Sequence, residues 1–219
     1  MLLELLLPQR CVVCRRPGAQ ACAGCLAALP RLTGPLCARC GAPTAWPVAR
    51  CRECAGRRLA FASARAALAY DDAVKRLVSA WKERGLRGLA GIAGEIVAET
   101  IPRPDADALA YVPPERDRSL ERGHHPAARL AQELGVRWQL PVAQLLARTG
   151  PARPQRGLSL PERRRNVRGA FRPAAASPPR VVLVDDVYTS GATAAAAASA
   201  LRRAGARRVD VVTMARAVR

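Results

Sequence analysis

The sequence predicts an α/β protein, a mostly parallel sheet with helices on both faces, preceded by a cysteine-rich module. Two observations predict it. From about residue 59 onward, short apolar runs and helical patterns follow in the order β-α-α-β-α-β-α-β, which brings the strands back parallel to one another. Before that point, all eight cysteines fall within the first 54 residues, as four Cys-x2-Cys pairs. The expected division is residues 1–58 and residues 59–219.

The chain opens on Leu2–Leu7, interrupted by Glu4 and followed by Pro8. This run is too short for a membrane span or a signal sequence, so a short amphipathic helix and a cytoplasmic location are expected. The cysteine pairs come next: Cys11/Cys14, Cys22/Cys25, Cys37/Cys40 and Cys51/Cys54. A Cys-x2-Cys knuckle puts two thiolates on one side of a tight turn, half of a tetrahedral zinc site. In chain order the pairs make two sites, with Cys11, Cys14, Cys22 and Cys25 around one zinc and Cys37, Cys40, Cys51 and Cys54 around the other. An interleaved pairing also satisfies the spacing. A disulfide framework does not suit a reducing cytosol, and redox Cys-x2-Cys motifs come singly. Four thiolates leave no open coordination position, so the zinc is structural. A proline-rich segment this short needs such staples to fold.

After the module, Phe61–Tyr70 reads as a strand and Asp71 or Asp72 as the cap of a helix through Ala73–Trp81, ended by Gly85. A second helix covers about Gly88–Thr100. Leu109–Val112 is a short strand closed by Pro113-Pro114, and Pro126 starts a helix that Gly135 should stop. Two arginine-rich stretches, Glu115–Arg122 and Arg148–Arg168, have the composition of basic loops rather than packed elements. Arginine's planar fork suits phosphate, so each loop as a whole is a candidate for phosphate contact.

Residues 181–193, Val-Val-Leu-Val-Asp-Asp-Val-Tyr-Thr-Ser-Gly-Ala-Thr, are the most informative part of the chain. Val181–Val184 suits a strand buried on both faces, Ala192–Ala204 a helix stopped by Gly205, and Val209–Met214 the next strand. A phosphate fits where that helix begins, because its first N–H groups lack partners and its dipole is positive there. Gly191 permits close approach of the main chain, and Thr189, Ser190 and Thr193 add hydroxyls around Ala192. Asp185 and Asp186 sit where open α/β sheets bind ligands and can accept hydrogen bonds from sugar hydroxyls.

Charge narrows the partners. The formal net charge is +19, and lysine occurs only at Lys75 and Lys82, so arginine carries nearly all of the positive charge. A GC-rich genome can account for arginine in place of lysine, but not for the excess of bases over acids, which predicts attraction to nucleic acid or phosphorylated ligands. With only eight aromatic residues, stacking on single-stranded bases has few contributors.

The 181–193 segment resembles the phosphoribosyl diphosphate (PRPP) signature of type I phosphoribosyltransferases. The resemblance implies that Asp185 and Asp186 hold the ribose hydroxyls and serve catalysis, that Thr189–Thr193 cradles the 5′-phosphate, and that Mg²⁺ accompanies PRPP. Trp81-Lys82-Glu83-Arg84-Gly85, Val112-Pro113-Pro114, Arg118-Ser119-Leu120-Glu121-Arg122-Gly123, Gln155-x2-Leu158, Glu162-Arg163-x2-Asn166-Val167 and Ala170-Phe171 add a second resemblance. Together with the cysteine pairs, they resemble the ComF family of competence-associated, phosphoribosyltransferase-like proteins along nearly the whole chain. That likeness implies a sheet of type I phosphoribosyltransferase kind, a link to DNA uptake, and single-stranded DNA and a DNA-uptake helicase as partners. The resemblance implies Arg116 and Arg118 as candidates for a first pyrophosphate loop, Arg163 and Arg164 for a second that closes over it, and Lys82 as a further cation. The chain departs from the family at His124-His125-Pro126, where an aromatic-Asn-Gln sequence is usual. Purine-salvage relatives often place an acid where Thr189 stands, so the acceptor is left open between transfer to an unidentified group and sensing without turnover.

Overall fold

Val181, Val182, Leu183 and Val184 are buried to the last few per cent, and they form the middle of a five-stranded, all-parallel sheet. The computed structural model describes residues 9–83, 85–86, 88–114, 125–149 and 169–218. In chain order its elements are α1 (Ala23–Ala27), β1 (Ser63–Ala69), α2 (Asp72–Glu83), α3 (Leu89–Thr100), β2 (Ala108–Tyr111), α4 (Pro126–Trp138) and β3 (Val142–Ala143). They continue with β4 (Leu146–Arg148), β5 (Phe171–Pro173), β6 (Arg180–Tyr188), α5 (Ala192–Arg203) and β7 (Arg208–Arg216). The main sheet runs β1-β7-β6-β2-β3, and β4 with β5 makes a small antiparallel ribbon beside it.

This strand order creates a switch point. The chain leaves β2 through α4 toward one edge, and leaves β6 through α5 toward the other. Crossovers of one handedness running in opposite directions put the two helices on opposite faces and open a crevice between the strands' C-terminal ends. The burial pattern agrees, because strand alternation divides β6 between two cores. Val182 and Val184 pack with Leu130, Leu134 and Trp138 of α4 and with Trp81 and Leu77 of α2. Val181 and Leu183 pack with Ala194, Ala197, Ala198 and Leu201 of α5. Alanines on α5 let that helix lie close to the sheet.

The cysteine module is built into both cores. Val12, Ala21 and Leu29 of its first half join the α2–α3–α4 side. Cys37, Cys40, Ala42 and Cys54 of its second half join the α5 side with Phe61. Gly41 explains part of this contact: with φ +68° it turns left-handed, and any Cβ there would run into the Ala64 carbonyl of β1.

The expected elements form, with some different limits. Asp71 caps α2 by accepting from Val74 N–H at 2.8 Å, and Gly85 follows with φ +66°. The helix begun by Pro126 does not stop at Gly135 but continues to Trp138 and ends on Gln139 with φ +53°. Gly135 serves packing instead, since a Cβ there would meet a Val142 methyl of β3 at 2.6 Å and the Leu140 carbonyl at 3.0 Å. Strand β6 runs four residues past Val184, taking in both acids, because its ladder with β7 continues through Asp185↔Thr213 to Tyr188↔Arg216. Arg148 closes β4 and lies over the Phe171 ring of β5, 5.2 Å from its centroid. The Leu2–Leu7 run, the 115–124 stretch and the arginine-rich residues after Thr149 lie outside the described residues.

Candidate functional site

The last turns of β6 carry Asp185 and Asp186 to the crevice beside β2, and alternation along the strand turns them to opposite faces. Asp186 faces the α2 side, where Lys82 in the last turn of that helix meets it at 2.6 Å. The Asp186 side chain is mostly buried and that of Lys82 partly exposed, so solvent screens the pair in part. Burial alone would lower the Lys82 ammonium. Asp186 outweighs it, with Asp185 helping, and keeps the group above its ordinary value. Asp185 turns toward α5 and accepts a hydrogen bond from the Asp186 N–H at 2.9 Å. One ammonium serves two carboxylates, and Asp186 takes it. Burial, followed by the Asp186 charge, pushes Asp185 up to about 7.

This shift has a stability consequence. A carboxyl that holds its proton in the folded protein well above its unfolded value stabilises the fold below about pH 4, and that contribution is lost as pH rises through about 7. Relative to an Asp185→Asn variant, the wild type should therefore lose stability between about pH 4 and pH 7, and level off above. Denaturant titrations of both proteins across that range measure the difference.

The turn after β6 forms the second part of the site. Thr189 is exposed, Ser190 is 7% exposed, and Gly191 stands at the N-cap of α5 with φ +69°. The Ser190 hydroxyl accepts from Ala192 N–H at 3.3 Å, and Ala192 begins the helix with Thr193 half-buried behind it. Asp185, Thr189, Gly191, Thr193 and Thr213 line a small pit of about 20 Å³. Tyr188 is 5% exposed, and its buried hydroxyl, beside Gly191, has no hydrogen-bond partner among the described residues. A polar atom left so at a helix N-terminus is suited to an incoming acceptor such as a phosphate oxygen. Gly191 has two reasons to lack a side chain, its positive φ and the Tyr188 ring that a Cβ would strike. Gly191→Ala should cost about 1–3 kcal/mol in a denaturant midpoint and close the pit.

The cysteines settle into the two sequential groups. In each group the four sulfurs lie within 4.8 Å of one another. Tetrahedral zinc with Zn–S near 2.3 Å requires sulfurs about 3.8 Å apart. The observed Sγ···Sγ separations are 3.7 Å for Cys14–Cys22, 3.6 Å for Cys37–Cys54, 3.5 Å for Cys40–Cys51 and 4.0 Å for Cys51–Cys54. These are ligand separations, far longer than a disulfide's. Backbone N–H groups of Cys22 and Cys51 also point at the sulfurs of Cys11 and Cys37, at 3.4 and 3.3 Å. The two groups therefore fit two structural zinc ions, and the interleaved pairing is excluded.

Of the residues expected at the site, the fold brings together Asp185, Asp186, Lys82 and the Thr189–Thr193 turn. Arg116, Arg118, Arg163 and Arg164 lie outside the described residues. His125 is the N-cap of α4, accepting from Ala128 N–H at 3.2 Å, with its ring edge-on to Tyr111 at 5.2 Å. Sequence reading missed Tyr188, Arg57 and Arg216. Arg57 donates to the Ser190 carbonyl at 2.7 Å, and Arg216 crosses the Tyr188 ring at 5.1 Å. No local pattern marks these residues, since only the fold brings residues 57 and 190 together.

Comparison with known proteins covers both halves. Residues 2–55 match the double zinc ribbon domain family. Competence protein F of Haemophilus influenzae is 28% identical over 224 residues, 95% of this chain and 97% of the relative. DNA utilization protein YhgH of Salmonella typhi is 29% identical across 97% of this chain and 99% of its own length. Competence protein ComFC of Bacillus subtilis is 27% identical over 81% and 76% of the two chains. Among solved structures, the glutamine PRPP amidotransferase of B. subtilis, complexed with ADP and GMP, aligns over 58% of this chain and 26% of its own, with 24% identity and a TM-score of 0.40. The relatives extend through the ribbons and the acidic strand alike, and the chain is similar over most of its length to ComF-type competence proteins.

Proposed function

We propose that the chain is a phosphoribosyltransferase-like protein that binds PRPP at the end of β6 and acts in DNA uptake. The observation that carries this reading is the join of β6 and α5: two acids at a switch point, then a turn whose Gly191 approaches a buried tyrosine hydroxyl with no partner among the described residues. In this reading Asp185 and Asp186 accept hydrogen bonds from the ribose 2′ and 3′ hydroxyls, and a sugar straddling the strand end reaches both. The N–H groups and hydroxyls from Thr189 to Thr193 hold the 5′-phosphate. Lys82 neutralises Asp186 until the ligand arrives, and Arg116, Arg118, Arg163 and Arg164 contact the pyrophosphate. The names of the curated relatives, competence and DNA utilization, support the biological setting.

Transfer would break the bond between C1 and the pyrophosphate oxygen and form one between C1 and the acceptor, with pyrophosphate carrying away the electron pair. The protein's contribution is positioning together with cations around the leaving group. Mg²⁺ accompanying PRPP would supply positive charge to the leaving pyrophosphate. Residues 1–58 form the zinc module of this reading and residues 59–219 the ligand domain, in a cytoplasm that keeps the thiols reduced.

The +19 charge favours a second reading, a PRPP sensor that binds single-stranded DNA, and through it a DNA-uptake helicase, without turnover. Incubation with PRPP, Mg²⁺ and pools of candidate acceptors separates the two. Acceptor-dependent pyrophosphate release identifies a transferase, and PRPP binding without release identifies a sensor.

A further inference from the structure

We propose that the second zinc ribbon sets the conformation of the phosphate turn, with Arg57 as the positioning residue that connects them. Arg57 lies three residues beyond Cys54, and its own N–H donates to the Cys54 carbonyl at 3.2 Å, so the cysteine knuckle fixes its backbone. Its guanidinium donates to the Glu53 carbonyl at 3.2 Å and to the Ser190 carbonyl at 2.7 Å. A trans peptide is planar, with C=O and N–H on opposite sides. Holding the Ser190 oxygen toward the ribbon therefore aims the Gly191 N–H away from it. The described walls of the pit come from β6, the turn, α5 and β7, with none from the ribbon. The Gly191 N–H is thus turned away from the ribbon by a residue that is not among the described lining of the pit.

A second brace runs parallel to the first. Arg216 is 1% exposed at the end of β7, opposite Tyr188 in the ladder. It donates to the Cys40 carbonyl at 2.6 Å and to the Glu53 carboxylate at 2.8 Å, which joins both knuckles of the second site to the strand ends. Its guanidinium also covers the Tyr188 ring. The first ribbon packs on the other face of the sheet, against α2 and α3. The geometry therefore assigns the two zinc sites different work. Occupancy of the second, but not of the first, governs the Ser190–Ala194 amides.

The consequence for ligand affinity rests on the PRPP reading; the mechanical coupling does not. Hydrogen exchange of the full zinc-loaded chain tests it directly. Arg57→Ala should speed exchange of the amides from Ser190 to Ala194 about tenfold or more, the worth of a charge-assisted hydrogen bond. Exchange in β2 and α3 should stay as in the wild type, and Arg57→Lys should restore part of the protection. Cys14→Ser in the first ribbon should leave the turn unchanged. PRPP affinity should fall with Arg57→Ala by a similar factor. Unchanged exchange at the turn in Arg57→Ala, or an equal rise throughout the domain, overturns the proposal. A turn that responds in a protein that never binds PRPP upholds the coupling and overturns the ligand reading instead.

Discussion

Replacing Cys37 and Cys40 by serine should leave the chain unable to fold, whereas Cys14→Ser should yield a folded protein that loses metal from one site only. The difference follows from burial. Cys37, Cys40 and Cys54 are 0%, 2% and 0% exposed and sit in one core with Phe61, Leu183 and Val209, while Cys14 is exposed. A structural zinc site contributes about 10–16 kcal/mol in zinc-finger peptides, comparable with the whole stability of a domain, about 5–15 kcal/mol. Without the ion, four thiols at ligand distance cannot share their negative charge. Backbone N–H groups at Cys40, Cys51 and Arg39 overcome burial and bring Cys37 down to about 6, while burial pushes Cys40 up. Arg216, fixed to Cys40 and Glu53, would be left as a buried cation with displaced partners, itself a loss of about 3–5 kcal/mol. Far-ultraviolet circular dichroism and metal content of the purified variants decide the matter. A folded Cys37→Ser, Cys40→Ser protein retaining one zinc would contradict this account of the core.

The second large effect is expected at the acids. Asp185→Ala with Asp186→Ala should lower PRPP affinity at least a hundredfold with the fold intact. Two charge-assisted hydrogen bonds to the sugar are lost, each worth about 1.5–3 kcal/mol. The fold survives because β6 is held there by its backbone ladder, and the substitutions remove a carboxyl that burial, and then the Asp186 charge, push up to about 7. Lys82 is left without its partner, but at 28% side-chain exposure it can turn to water. A thermal midpoint within a few degrees of wild type, paired with lost binding, would show that the acids serve the ligand. Lost binding with a collapsed midpoint would place their role in folding.

The fold and the chemistry were not equally legible in the sequence. Val181–Val184 and the alanine helix after it declare themselves, because an unbroken apolar run and a Gly-bounded alanine segment have few other uses. The strand's continuation through Asp185 and Asp186 does not, since ladder hydrogen bonds to β7 are made by backbone and leave no mark on residue type. Val142–Ala143 pairs with β2 over only two residues, too short for any alternation to register. Gly135 reads as a stop by composition but is small in order to admit Val142, which only the folded neighbourhood reveals. At the site, the same division holds. The acids and the turn are contiguous and could be read directly, and Cys-x2-Cys spacing located both ribbons. The braces could not be read, because Arg57 meets Ser190 across 133 residues of chain and Arg216 meets Glu53 across 163. In a protein with 36 lysines and arginines, nothing in the sequence distinguishes those two from the rest.

The central claim is that the β6–α5 join is a phosphoribosyl site, and calorimetric titration of the zinc-loaded wild type with PRPP and Mg²⁺ tests it most directly. Saturable binding at one site per chain, abolished in the Asp185→Ala, Asp186→Ala protein, is the predicted result. No binding by the wild type, or binding that survives loss of both acids, would contradict it.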